Sequence, residues 1–231
     1  MGVSPAFNHP WDLPPAEAKR LQRQLRDRVR IEPITNPVRW IAGVDVSVRG
    51  EVSKAAVVVL SFPELEPTEA VTAERPVEFP YIPGLLAFRE GPVVLDAMAK
   101  LRQRPDLVIF DAHGLSHPRR MGLATHLGVL LDLPSIGCAK SRLCGEHGEP
   151  PPERGGWTPL FDGEEVIGAV LRTRTGVHPV YVSIGHRIDL EGAVEWVLRC
   201  CTRYRLPEPT RWAHRVAGGE SIPTAHQPTL F

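Results

Sequence analysis

Cysteine is scarce: Cys138, Cys144, Cys200 and Cys201 are the four in 231 residues, with no Cys-x-x-Cys pair among them. Adjacent Cys200 and Cys201 are a poor start for a disulfide framework, so a reduced, cytoplasmic protein is expected. Cys138, Cys144 and His147 form a zinc fragment with no fourth ligand in sight, which favours core thiols. Long apolar runs are missing as well. The longest clean one, Ala55 to Leu60, is far too short to cross a bilayer. No secretory signal is read before Pro14, and Ala6 stands where a myristoylation start needs Ser or Thr. An excess of one charge is also lacking, since 27 Lys+Arg balance 27 Asp+Glu. That argues against a wholesale polyanion binder but leaves room for a basic groove.

The remaining composition is that of a globular protein with a real core, 42% apolar and 23% charged. Neither a hinge nor an internal repeat is visible, and residues 1–217 are expected to form one catalytic domain. The stretch from Asp106 to Gly122 organises the chain. Leu107 to Phe110 read as a buried strand. It ends on Asp111 and a turn containing His113, Gly114 and His117. Pro118 then suits the first position of a helix over 118–132, with His117 as its N-cap. Gly122 and Gly128 inside that helix point to close approach of a backbone or a ligand. A carboxylate at the carboxyl end of a core strand is where open α/β sheets bind ligands. The turn's N–H groups, with Arg119 and Arg120, would suit a phosphate. Histidines at 113 and 117 have zinc-pair spacing, but Pro118 disfavours a shared helical face. Capping or phosphate contact is expected of His117, and a buried hydrogen bond of His113.

Upstream, residues 14–30 form a basic amphipathic helix with Leu21, Leu25 and Val29 as its stripe. A solvated basic face is expected there rather than nucleic-acid contact. Three strands follow, Val38 to Val48, Lys54 to Leu60 and Glu69 to Phe79, forming an antiparallel meander. An unpaired Asp45 inside the first would cost several kcal/mol, on the order of a charge-burial penalty. It therefore needs a metal, a cation or a wet cleft. Two prolines stiffen the loop around Tyr81 and Ile82. Glu90 precedes a helix from Pro92 to Gln103, with Val94, Leu95, Met98 and Leu101 as its buried stripe. A short strand from Pro134 to Lys140, a loop from Glu146 to Pro159, strands at Val166 to Arg172 and Val177 to Ile184, and a helix from Glu191 to Tyr204 complete the reading. Meander, helix, strand, helix, strand is the ribonuclease H-like α/β order, a mixed sheet flanked by helices. It would set Asp45 beside Asp111, as an oxygen site for Mg²⁺ or Mn²⁺.

Four segments carry a resemblance: Ile41 to Asp45, Pro80 to Glu90, Asp111 to Gly114 continuing through His117-Pro118-Arg119, and Gly137 to Lys140. In this order and spacing they resemble endonuclease V, the deoxyinosine 3′ endonuclease, over roughly residues 10–217. The resemblance implies a Mg²⁺-dependent nuclease, with Mn²⁺ able to substitute. It implies recognition of hypoxanthine in DNA and cutting of the second phosphodiester bond 3′ to the lesion, with 3′-hydroxyl and 5′-phosphate ends. By the same carry-over Asp45 and Asp111 hold the metal, Glu90 completes the acidic set, Lys140 sits by the scissile phosphate, and His214 takes the last position of the site. Tyr81, with Ile82 and Pro83, looks like the wedge that fills the place of the flipped nucleotide. Gly84, Leu86 and Gly122 would line the base pocket, and His117 and Arg119 would contact DNA. One metal or two, roughly 3.5–4 Å apart if two, stays open.

Rival readings are a ribonuclease cutting beside inosine in RNA and a binding module without catalysis. The module would need a broken acidic set, whereas Asp45, Glu90 and Asp111 are all present. A monomer is expected, away from any membrane. Residues 218–231 are expected to be a disordered tail. Its end, with Gln227, Leu230 and Phe231, is similar to the Gln-x-x-Leu-Phe peptides that bind bacterial sliding clamps; packing back onto the domain is the alternative.

Overall fold

The computed structural model describes residues 2–223. Eight strands form one mixed sheet in the order β3-β2-β1-β4-β5-β8-β7-β6. Its first half is the expected meander, β1 (Trp40–Arg49), β2 (Val52–Ser61) and β3 (Pro67–Pro76). β4 (Leu107–Phe110) then lies parallel to β1, and β5 (Ser135–Ala139) parallel to β4. The second half, β6 (Trp157–Asp162), β7 (Glu165–Leu171) and β8 (Val180–His186), is antiparallel and joins through β5.

Alternation along the strands divides the core in two. Ile41, Ala56, Val58 and Ile109 face one side and pack on α4 (Leu190–Arg199) and α5 (Glu208–Ala217) through Val194, Val197, Ala213 and Val216. Ala42, Val57, Val108 and Phe110 face the other and pack on α2 (Leu86–Met98) and α3 (Leu123–Leu131). Every residue from Ala55 to Leu60 is fully buried, as a strand covered on both faces requires. Burying each large apolar side chain there contributes about 1.5–3 kcal/mol.

Several expected boundaries shift. The helix placed over 118–132 begins at Leu123, with Gly122 as N-cap, so Pro118 is not a first helical residue and His117 does not cap that helix. Residues 118–122 stay in turns because the His117 ring and the His117 and Gly114 carbonyls take their N–H groups. α2 starts at Leu86, which leaves Glu90 inside the helix and Pro92 within it. Pro92 forgoes one intrahelical hydrogen bond, offset by burial of Phe88, Val93 and Val94. The loop expected to run to Pro159 instead ends where β6 begins. Pro159 is tolerated because β6 is an edge strand. α1 (Pro15–Arg26) buries Ala18, Gln22 and Leu25, so its buried stripe includes an amide and omits Val29. The tail's clamp-like residues, Gln227, Leu230 and Phe231, lie outside the described residues.

Candidate active site

The parallel pairing of β1 and β4 sets Val44 beside Phe110. The next residue of each chain is an aspartate, and the Asp111 N–H donates to the Val44 carbonyl at 3.1 Å. Asp45, within β1, and Asp111, just past the carboxyl end of β4, thus lie side by side, their side chains 13% and 9% exposed. Lys140, just past the parallel neighbour β5, donates from Nζ to Asp111 Oδ2. His214 reaches from α5, its Nδ1 at 2.8 Å from Asp45 Oδ2. That reach depends on Gly43, two residues before Asp45. A Cβ there would lie 1.9 Å from the Pro209 carbonyl oxygen, so only glycine lets α5 settle onto β1.

Glu90 joins this cluster from α2. Burial, and then the charges of Asp45 and, more weakly, Asp111, push its carboxyl up from 4.5 to about 8, against a smaller pull from Arg89. Asp45 is raised too, first by burial, although its hydrogen bond to His214 works the other way. All five residues expected at the catalytic centre are therefore together. Among the described residues no three acidic, histidine or cysteine side chains close into a metal-ligating group; Lys140 and His214 instead lie against the carboxylates.

Beside the carboxylates opens a pocket of about 340 Å³, lined by Tyr81, Ile82, Pro83, Gly84, Leu86, His117 and Gly122 and reaching Asp111 and Lys140. Tyr81 is 70% exposed at its rim. Gly84 turns the loop with φ +79°, and a Cβ on it would meet Arg119 Nη2 at 2.6 Å. Gly122 admits the His113 carbonyl, 2.3 Å from where its Cβ would be. The close approach expected of Gly122 is thus made by backbone.

His117 caps no helix and instead holds the turn that follows it. Its Nδ1 accepts the Arg119 N–H at 3.1 Å, so Nε2 carries the proton and donates to the Gly84 carbonyl at 2.9 Å. Burial first, and the Arg119 charge second, push its pKa down to about 4. His113 is likewise held neutral by burial, at about 4, with Nδ1 at 2.9 Å from Ser116 Oγ. Arg119 backs the pocket, donating to Gly84 O and to Gln22 Oε1. Arg120 is not a phosphate ligand. It is buried and paired with Glu165 at 2.7 Å and Asp162 at 2.8 Å. Gln22 was not expected here. It lies fully buried on α1, donating to the Gly84 and Met121 carbonyls, and only its place opposite the basic face of α1 hinted at this.

Paired carboxylates on β1 and just past β4, an ammonium beside them and an adjoining pocket define a nuclease of the ribonuclease H-like class. Comparison with known proteins narrows the class. The endonuclease V family model matches residues 23–215. Endonuclease V of Roseiflexus sp. strain RS-1 is 56% identical over 94% of this chain and 98% of its own. That of Nostoc sp. strain PCC 7120 is 54% identical over 90% and 96%. The crystal structure of the Streptomyces avermitilis enzyme superposes with a TM-score of 0.87 at 42% identity, covering 94% of this chain and 96% of that one. Ciona intestinalis endonuclease V, crystallised with DNA containing an inosine followed by a ribo-adenosine, matches with a TM-score of 0.75 at 29% identity, over 88% and 95%. The chain belongs to the endonuclease V family. It is an inosine-specific nuclease that acts 3′ to deoxyinosine in DNA repair.

Proposed function

We propose that Asp45, Glu90, Asp111, Lys140 and His214 carry out this hydrolysis, and that the pocket behind Tyr81 receives the flipped hypoxanthine. The observation that carries the assignment is the convergence of three carboxylates and one ammonium where the pairing of β1 with β4 ends. Burial first, and the neighbouring carboxylate charges after it, raise the carboxyls of Asp45 and Glu90. An all-oxygen acidic set of this kind suits a hard divalent cation. Asp45 and Asp111, with Glu90 completing the set, would hold Mg²⁺, and Mn²⁺ would substitute. Such an ion supplies Lewis acidity toward phosphoryl oxygens and lowers the pKa of water.

The chain's own groups do the rest. In the reaction an oxygen of water bonds to phosphorus as the bond to the 3′-oxygen breaks. Water gives up a proton and the departing 3′-oxygen gains one, leaving 3′-hydroxyl and 5′-phosphate. Lys140, anchored on Asp111, sets positive charge where the phosphate oxygens gather electron density. His214, anchored on Asp45, fixes that carboxylate's orientation. Tyr81, exposed on a loop stiffened by Pro80 and Pro83, takes the place of the extruded nucleotide, whose unstacking costs a few kcal/mol. His117 and Gln22 hold Gly84 so that the pocket wall stays in place. Arg119 faces the DNA, whereas His117, buried with both ring nitrogens bonded, acts through the pocket wall.

The ribo-adenosine after inosine in the Ciona complex keeps an inosine-RNA substrate as the second reading. Asp45→Asn and Asp111→Asn decide the site assignment. Each should abolish nicking of a deoxyinosine duplex in Mg²⁺ while lesion binding stays measurable, and nicking retained by either variant refutes it. The proposal includes a cytoplasmic monomer, consistent with four free thiols, whose terminal Gln227, Leu230 and Phe231 engage a sliding clamp.

A further inference from the structure

The basic face of α1 is largely committed to neighbours. Arg20 pairs with Glu17 at 4.0 Å, Arg26 with Glu165 at 3.5 Å, and Arg30, beyond the helix, with Asp132 at 3.9 Å. Arg28 lies over the Phe7 ring. Arg23 and Lys19 differ: no carboxylate among the described residues pairs with either. Arg119 shares that condition. Its partners are two neutral acceptors, the Gly84 carbonyl at 2.5 Å and Gln22 Oε1 at 2.6 Å. Both arginines line one shallow depression, together with Arg26, Pro118 and a single acid, Asp27. They also feel each other: burial first, and the charge of Arg23 second, make the Arg119 guanidinium easier to deprotonate than usual. Two like charges held together without a carboxylate between them are a binding place for an anion.

The hydrogen bonds at Gly84 show which of the two can move. Its carbonyl has two lone pairs but takes three donors, from Gln22 Nε2 at 3.1 Å, His117 Nε2 at 2.9 Å and Arg119 Nη2 at 2.5 Å. Withdrawing Arg119 leaves that oxygen satisfied, whereas Arg119 gains a charged acceptor. Gln22 ties this place to the lesion pocket, because it lines the pocket and holds the Arg119 Nε.

We propose that Arg23 of α1 and Arg119 form a phosphate site on the rim of the lesion pocket, which grips the nucleic-acid backbone once Arg119 leaves the Gly84 carbonyl. This rests on the reading of the pocket as the receiver of the flipped base. It adds α1 to the DNA-binding surface, where the basic helix alone gave no reason to place it. A guanidinium on a phosphate positions the duplex without reading its sequence.

The test is equilibrium binding in chelator, so that nothing is cut, to a deoxyinosine duplex and to an undamaged one across a salt series. Arg23→Ala should make the dependence of log affinity on log salt shallower by about 0.9, the value of one phosphate contact on duplex DNA. The affinity loss should be the same fold on both duplexes, and Arg23→Lys should restore most of the slope. Arg104→Ala, removing a charge from an exposed site before β4, should leave the slope unchanged. A wild-type slope in Arg23→Ala, or an equal flattening by Arg104→Ala, overturns the phosphate site. Loss of the wild type's preference for the deoxyinosine duplex would instead overturn the reading of the pocket, and the slopes would still judge Arg23.

Discussion

Removing the charge of Glu90 should stabilise the metal-free protein while destroying its activity. Glu90 has a folded-state pKa of about 8 against 4.5 for the free side chain. The folded protein therefore binds a proton that the unfolded chain has released between those values. Stability is unpenalised below pH 4.5, falls as pH rises through that window, and levels off above pH 8. At pH 7 the penalty spans about 2.5 pH units, or about 3 kcal/mol. Glu90→Gln keeps the shape and removes the titration, so in chelator at pH 7 its Tm should exceed the wild type's. The expected rise is about 6–12 °C for a chain of this size. At pH 4.5 the two proteins should melt together. Added Mg²⁺ should raise the wild-type Tm more than the variant's, since the ion relieves the repulsion that the variant lacks. A variant no more stable than wild type in chelator at pH 7, or an advantage that does not grow between pH 4.5 and 8, would refute the view that burial and the neighbouring carboxylates penalise the Glu90 charge in the folded protein.

Two further outcomes follow from the pocket and from the tail. Tyr81→Ala should weaken binding to a deoxyinosine duplex at least severalfold in a titration with chelator, yet slow cutting of a single-stranded substrate far less; equal losses in both assays would remove the wedge role. Leu230→Ala combined with Phe231→Ala should lose capture by an immobilised bacterial sliding clamp, and no capture of the intact protein would end that part of the proposal.

The acidic centre was legible because strand patterns are short-range. An apolar run with Asp45 embedded in it and another ending on Asp111 pointed to two core strands, and the meander order placed them side by side, as the pairing of Val44 with Phe110 bears out. The features that stayed hidden depend on contacts between distant segments. Gln22 reads as a surface residue of a basic helix until the Gly84 and Met121 carbonyls, 62 and 99 residues away, are brought to it. The helix start slipped from Pro118 to Leu123 because side-chain and carbonyl partners, not local propensity, claim the intervening N–H groups. Pro159 argued for loop because a proline cannot donate within a sheet, and edge position, which removes that objection, is a property of the whole sheet. Gly43 carries the same lesson for His214. The glycine is plain in the sequence, but that α5 rests on it is visible only in three dimensions.

The most direct measurement uses an end-labelled duplex with one deoxyinosine, incubated with the full-length chain in Mg²⁺, in Mn²⁺ and in chelator, beside an undamaged duplex. The account predicts a single nick at the second phosphodiester bond 3′ to the lesion, with 3′-hydroxyl and 5′-phosphate ends, in either metal and not in chelator. Cutting of the undamaged duplex at the same rate, or a nick that persists in chelator, would contradict it.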